Sequence, residues 1–131
     1  MSISFDTSAY SFFRRGHPEL ISLVQTAPQI GFSCIVIGEL LAAFKHGGQS
    51  RQNERALDGF LSSKRIRVLP VDTTTAGRYA EISTYLRRQG TPLPSSDVWI
   101  AAHAMQYGLQ VVTLNKHFQV MPQVSVRLFG P

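Results

Sequence analysis

A chain of 131 residues with 44% hydrophobic content is long enough for one compact core and is far from the composition of a disordered chain. No apolar run approaches the roughly 20 residues that a membrane helix needs, and the start, MSISFDTSAYSFF, lacks the basic lead and cleavage site of a secretory signal, so a cytoplasmic protein without a membrane partner is expected. The net charge of +5 favours polyanionic partners such as nucleic acid, although charge alone is weak ground. One cysteine, Cys34, can form no internal disulfide and no thiolate cage, and is expected to be a small buried apolar residue.

In chain order, Ile3 to Phe5 reads as a short strand running into Asp6. Thr7 to Arg15 reads as a helix with Tyr10 and Phe13 inward and Gly16 as its stop, and Pro18 opens a second helix through Val24. Ile30 to Ser33 is a second strand. Ile35 to Lys45 has helical apolar spacing and stops at Gly47-Gly48, and Ser50 to about Ser63 is a helix that buries Leu57, Phe60 and Leu61. Ile66 to Pro70 has the β-branched character of a strand. Asp72-Thr73-Thr74 forms a capping cluster for a helix through Arg88, which Gly90 ends. After the loop Thr91 to Ser96 comes an apolar helix from Asp97 to Tyr107, closed by Gly108. Gln110 to Thr113 is a strand, and Val124 to Phe129 the last. This alternation predicts an α/β domain, a mainly parallel central sheet with helices on both faces. Ligands in such sheets bind at the carboxyl ends of the strands, where Asp6 and Asn115 fall.

Three carboxylates stand at the edges of apolar elements. Asp6 is equally well read as a helix cap or as a metal ligand at a strand end. Glu39 is the only charge between Cys34 and Phe44, so a buried Glu39 would need a partner or a cation. Asp97 stands at the mouth of its helix, where Ser95 or Ser96 could provide the cap instead. Mg²⁺ or Mn²⁺ prefers such oxygens, keeps several waters, and can activate one of them beside a phosphate.

The ordered pieces Ile3-Ser4-Phe5-Asp6-Thr7-Ser8, Gly38-Glu39-Leu40-Leu41, Asp97-Val98-Trp99-Ile100-Ala101-Ala102-His103-Ala104, Tyr107-Gly108-Leu109 and Val111-Val112-Thr113-Leu114-Asn115 resemble the PIN-domain family, in particular the VapC-type toxins of bacterial toxin–antitoxin pairs. The resemblance covers nearly the whole chain and implies one nuclease domain over residues 1–131. It implies an Mg²⁺- or Mn²⁺-dependent endoribonuclease that cleaves RNA with an activated water, forms a homodimer and is inhibited by a small antitoxin. By that likeness Asp6 and Asp97 are metal ligands, and Glu39 is a ligand or water-positioning base. Asn115 takes the place of an acidic residue found in many relatives, which bears on a second metal position; its amide accepts a hydrogen bond without charge. Thr113 either supports the site or is simply a strand residue.

His117 is read as a partly exposed loop residue, His103 has no partner at metal-binding spacing, and Trp99, Phe12 and Phe13 are read as core or dimer surface. Two other functions compete with the nuclease. Asn115 motivates a catalytically weak or inactive relic that binds RNA or antitoxin. A phosphoacceptor receiver domain would use Asp6, Asp72 and Lys116, but it leaves Glu39 and Asp97 without a role.

Overall fold

The structure, a computed structural model, describes residues 2–131. Five parallel strands, β1 (Ile3–Phe5), β2 (Ile30–Ser33), β3 (Ile66–Leu69), β4 (Gln110–Thr113) and β5 (Val126–Leu128), form one sheet in the order β3-β2-β1-β4-β5. The helices around it are α1 (Thr7–Arg14), α2 (Pro18–Thr26), α3 (Cys34–His46), α4 (Ser50–Leu61), α5 (Thr73–Gln89) and α6 (Ser95–Tyr107). Each strand ladder is parallel, so every connection must cross over through helical segments. The chain steps from β1 to β2 to β3 in one direction and then returns past β1 to β4. Right-handed crossovers in opposite directions put their helices on opposite faces of a sheet.

The direction of winding reverses between β1 and β4. That reversal opens a crevice beyond the carboxyl ends of these two strands, where parallel sheets bind ligands. Phe5 pairs with Val112 in register, so Asp6 and Thr113 both follow directly at the crevice floor.

β1 and β2 are wholly buried and bear the central core. Phe5, Phe32, Tyr10 and Phe60 interlock as an aromatic cluster, with Tyr10–Phe32 centroids 5.8 Å apart and Tyr10–Phe60 centroids 5.3 Å apart. Edge-to-face pairs of this kind contribute roughly 0.5–1.5 kcal/mol each beyond their buried area. α6 buries Val98, Ile100, Ala101, Ala102, His103 and Ala104, which explains its nearly unbroken apolar sequence.

The expected elements are present, with helix ends shifted by a residue or more. α6 begins at Ser95 rather than Asp97, α2 continues to Thr26, and α3 starts at Cys34. The last strand is confined to Val126–Leu128, and a short 3₁₀ turn over Lys116–Val120 was not foreseen. Cys34 is half-buried rather than buried, because it occupies the first turn of α3. No described helix is long and apolar enough to cross a membrane.

Candidate active site

Asp6 is both a helix cap and a carboxylate at the carboxyl end of β1. It is the N-cap of α1, and its Oδ1 accepts hydrogen bonds from the Ala9 amide at 2.8 Å and the Ser8 hydroxyl at 2.7 Å. Its Oδ2 accepts from the Thr113 hydroxyl at 2.5 Å. A carboxylate offers about four acceptor positions, so three donors hold Asp6 rigidly while leaving room for another contact. Only 4% of its surface is exposed. Burial pushes its carboxyl up from the ordinary value, and the charge of Asp97 adds to the rise, while the bonds from Thr113, Ala9 and Ser8 oppose it.

Thr113 and Ser8 form the scaffold beneath Asp6. Thr113 Oγ1 also accepts from the Asn115 amide at 2.8 Å, and Ser8 Oγ accepts from the Leu114 amide at 3.1 Å. These bonds tie the start of α1 to the end of β4.

Glu39 reaches the same region from α3. It is half-buried, not the fully buried charge its apolar surroundings implied, and the Thr7 hydroxyl donates to its Oε1 at 2.5 Å. Thr7 follows Asp6 in the chain, so this bond places the third segment beside the first.

Asp97 lies in the first turn of α6. The helix has Pro94 as its N-cap and makes no side-chain cap bond. The capping account of Asp97 therefore fails, and neither Ser95 nor Ser96 takes the cap. Its side chain is 14% exposed and its Oδ2 lies 3.2 Å from His117 Nδ1. Burial pushes this carboxyl up, His117 opposes the rise, and the charge of Glu39 adds to it. Charge interactions thus link Asp6 to Asp97 and Asp97 to Glu39.

Asn115 is at the margin of this group. Its Oδ1 accepts from the His117 amide at 3.0 Å and so starts the 3₁₀ turn. That turn presents His117 to Asp97, a contact that a reading of His117 as an unattached loop histidine missed. The acidic pattern around it offered no sequence signal, because the two residues are 20 positions apart. Thr7 and Ser8 were visible only as part of a short motif, and their separate tasks, one holding Glu39 and the other Asp6, needed the three-dimensional arrangement.

The other discounted residues have structural roles. His103 is fully buried between Ser33 Oγ at 2.8 Å and the Pro70 carbonyl at 3.0 Å, and Trp99 stacks on Tyr79 with centroids 4.1 Å apart. Asp72 caps α5 and bonds Thr75 and Gln106, beyond the edge strand β3 and apart from Asp6, which leaves the receiver arrangement without its acidic pair.

Among the described residues, no three His, Cys, Asp or Glu side chains close into a metal cage. The donor set is nevertheless all hard oxygen, and the charge of Asp97 acts on Asp6 as that of Glu39 acts on Asp97. Mg²⁺ takes one or two carboxylates and completes its shell with waters and substrate phosphate, so an open set of this kind fits such an ion.

Comparison with known proteins agrees with this fold. The family profile described as PIN domain matches residues 3–123. The chain is 30% identical over 129 residues to the tRNA(fMet)-specific endonuclease VapC of Salmonella typhimurium, covering 96% of each protein. Its structure resembles the DNA-bound VapBC of Salmonella typhimurium, with TM-score 0.85 and 30% identity over 97% of each chain. It also resembles VapBC2 of Rickettsia felis bound to a promoter DNA fragment, with TM-score 0.84 and 26% identity over 98% of this chain and 99% of that one. With its parallel sheet, its carboxylates at the β1/β4 crevice and a profile match along nearly its whole length, the chain belongs to the PIN-domain family.

Proposed function

We propose that this protein is the toxin of a toxin–antitoxin pair, an endoribonuclease that cleaves RNA phosphodiester bonds with a water activated by Mg²⁺ or Mn²⁺. The observation that carries the reading is the buried Asp6 at the winding reversal of a parallel sheet, with Asp97 near enough for its charge to act on Asp6 and Glu39 near enough to act on Asp97. The likeness to VapC ribonucleases supports the reaction class.

Asp6 and Asp97 would bind the metal, with Glu39 as a further ligand or as the base that positions water. A bound divalent ion lowers the pKa of its water and offsets charge developing on the phosphate. The protein's own contribution is to keep the acids fixed. Thr113, Ser8 and the Ala9 amide hold Asp6 in one orientation, and Thr7 holds Glu39. His117 restrains Asp97 before substrate arrives, and as a half-exposed donor it can also face a phosphate oxygen.

The name of the Salmonella typhimurium relative makes initiator transfer RNA the first substrate to test. The VapBC assemblies among the structural neighbours support a small antitoxin as partner, and a homodimer is the oligomer proposed. A second reading, a PIN-fold protein that binds RNA or antitoxin with little or no turnover, is favoured by Asn115, whose uncharged amide oxygen is already used as a cap. Incubating purified, antitoxin-free protein with initiator transfer RNA and Mn²⁺ separates the two: discrete metal-dependent cuts support the nuclease, and tight binding without cuts supports the second reading.

A further inference from the structure

Glu39 and Asp97 stand on different helices, and a buried chain of hydrogen bonds fixes those helices to each other. Ser33 ends β2 and is the N-cap of α3, its Oγ accepting from the Ile35 amide at 3.1 Å. The same Oγ lies 2.8 Å from Nδ1 of His103, on the buried side of α6. His103 Nε2 lies 3.0 Å from the carbonyl of Pro70, the residue after β3. Ser33 and His103 are both fully buried.

A carbonyl only accepts, so Nε2 carries the ring proton and Nδ1 keeps its lone pair. Burial holds the imidazole pKa below its ordinary value, which preserves this neutral form. Ser33 therefore donates to Nδ1 while it accepts from Ile35, and each group in the chain has one orientation. The other buried positions of α6, among them Ala101, Ala102 and Ala104, are apolar. A satisfied polar network in such surroundings specifies one arrangement of the elements it joins. Glu39 follows Ser33 by six residues and Asp97 precedes His103 by six, about 9 Å along each helix axis. The charge of Glu39 acts on Asp97, so a shift of one helix against the other changes the spacing of the two acids.

We propose that His103 is a positioning residue of the carboxylate site: through Ser33 it sets the start of α3, and with it Glu39, against the helix that carries Asp97. The assignment rests on the three carboxylates holding a divalent ion. His103 touches neither the ion nor the substrate and acts only through the two helices.

The test separates the two bonds of the imidazole. Asparagine places Oδ1 where the ring has Nδ1, so His103→Asn keeps the acceptor for Ser33 and loses the donor to Pro70. Glutamine places an amide nitrogen where the ring has Nε2, so His103→Gln keeps the Pro70 bond and loses the Ser33 bond. Ser33→Ala removes that same bond from the other side and decides the matter should His103→Gln fail to fold. Mn²⁺ affinity is measured by titration calorimetry on antitoxin-free protein, and a urea midpoint is recorded for each metal-free variant. His103→Gln and Ser33→Ala are each expected to weaken Mn²⁺ binding about fivefold. The double variant is expected to lie within about twofold of either single one, because both remove one bond. His103→Asn is expected to bind Mn²⁺ as wild type does, although its urea midpoint also falls. Wild-type Mn²⁺ affinity in His103→Gln and Ser33→Ala, or affinity that simply follows the urea midpoint in all variants, overturns the positioning role and leaves the metal site standing. A wild type that binds no Mn²⁺ overturns both.

Discussion

The Thr113 hydroxyl and the Asp6 carboxylate meet at 2.5 Å across 107 positions of sequence. Thr113 ends β4 and Asp6 follows β1, and the parallel pairing of these neighbours brings the two side chains into one buried contact. The same hydroxyl accepts from the Asn115 amide, so one atom orients the acid and anchors the residue whose side chain caps the turn carrying His117.

Thr113→Val keeps the shape and β-propensity of the residue and removes both bonds. It is expected to destabilise the protein by about 1–3 kcal/mol, because a buried acid loses a charge-assisted donor and an amide loses its acceptor. Urea denaturation measures the loss. RNA cleavage is expected to fall more than tenfold under conditions where the variant remains folded, since Asp6 is then held by Ser8 and Ala9 alone.

Asp97→Asn separates charge from shape. The carboxylates repel one another, with Asp97 acting on Asp6 and Glu39 acting on Asp97. Mn²⁺ is expected to raise the melting temperature of the wild type in a concentration-dependent way. The variant, with one negative charge fewer, is expected to show a much smaller shift. Equal shifts by differential scanning fluorimetry would mean that the ion binds elsewhere.

The carboxylates were readable because each interrupts an apolar segment, and the elements were readable because Gly16, Gly90 and Gly108 take positive φ at helix ends while alternating strand and helix patterns separate cleanly. What connects the acids was not readable. Nothing local distinguishes Asp6 as a cap from Asp6 as a ligand, and the structure makes it a cap whose second oxygen faces Thr113. Glu39 implied a buried charge, yet α3 leaves it half-exposed beside Thr7. His117 had no pattern to announce it, because its contact with Asp97 depends on a 3₁₀ turn set by Asn115. Tyr10 read correctly as an inward residue, but its unpaired hydroxyl is a property of packing.

His103 sets a pH dependence away from the site. Burial lowers its pKa below the ordinary 6.5, with the Pro70 carbonyl opposing that shift. The unfolded chain therefore binds the proton more readily, so this residue's contribution is fully present above about pH 6.5 and is lost as pH falls through the folded-state value. Wild type is expected to lose more of its urea midpoint than His103→Asn between pH 7.5 and about pH 5. Parallel curves for the two proteins would show that His103 is not the group responsible.

Gly108 closes α6 at φ +64°, and a Cβ there would meet nothing within 4 Å. Gly108→Ala thus isolates the cost of a left-handed backbone without a packing change. A loss of about 1–2 kcal/mol in chemical denaturation is expected, with RNA cleavage per folded molecule unchanged. A neutral substitution would show that the turn relaxes to a negative φ.

In the proposed site, Asp6, Glu39 and Asp97 would together hold the metal used to cleave RNA. The most direct measurement is the cleavage of initiator transfer RNA and a mixed RNA pool by antitoxin-free protein with Mg²⁺ or Mn²⁺, run beside EDTA and Asp97→Asn. Discrete cuts in the wild type that disappear both with EDTA and with the folded variant are the expected result. Cleavage that persists in Asp97→Asn at the wild-type rate, or that ignores EDTA, would contradict the assignment.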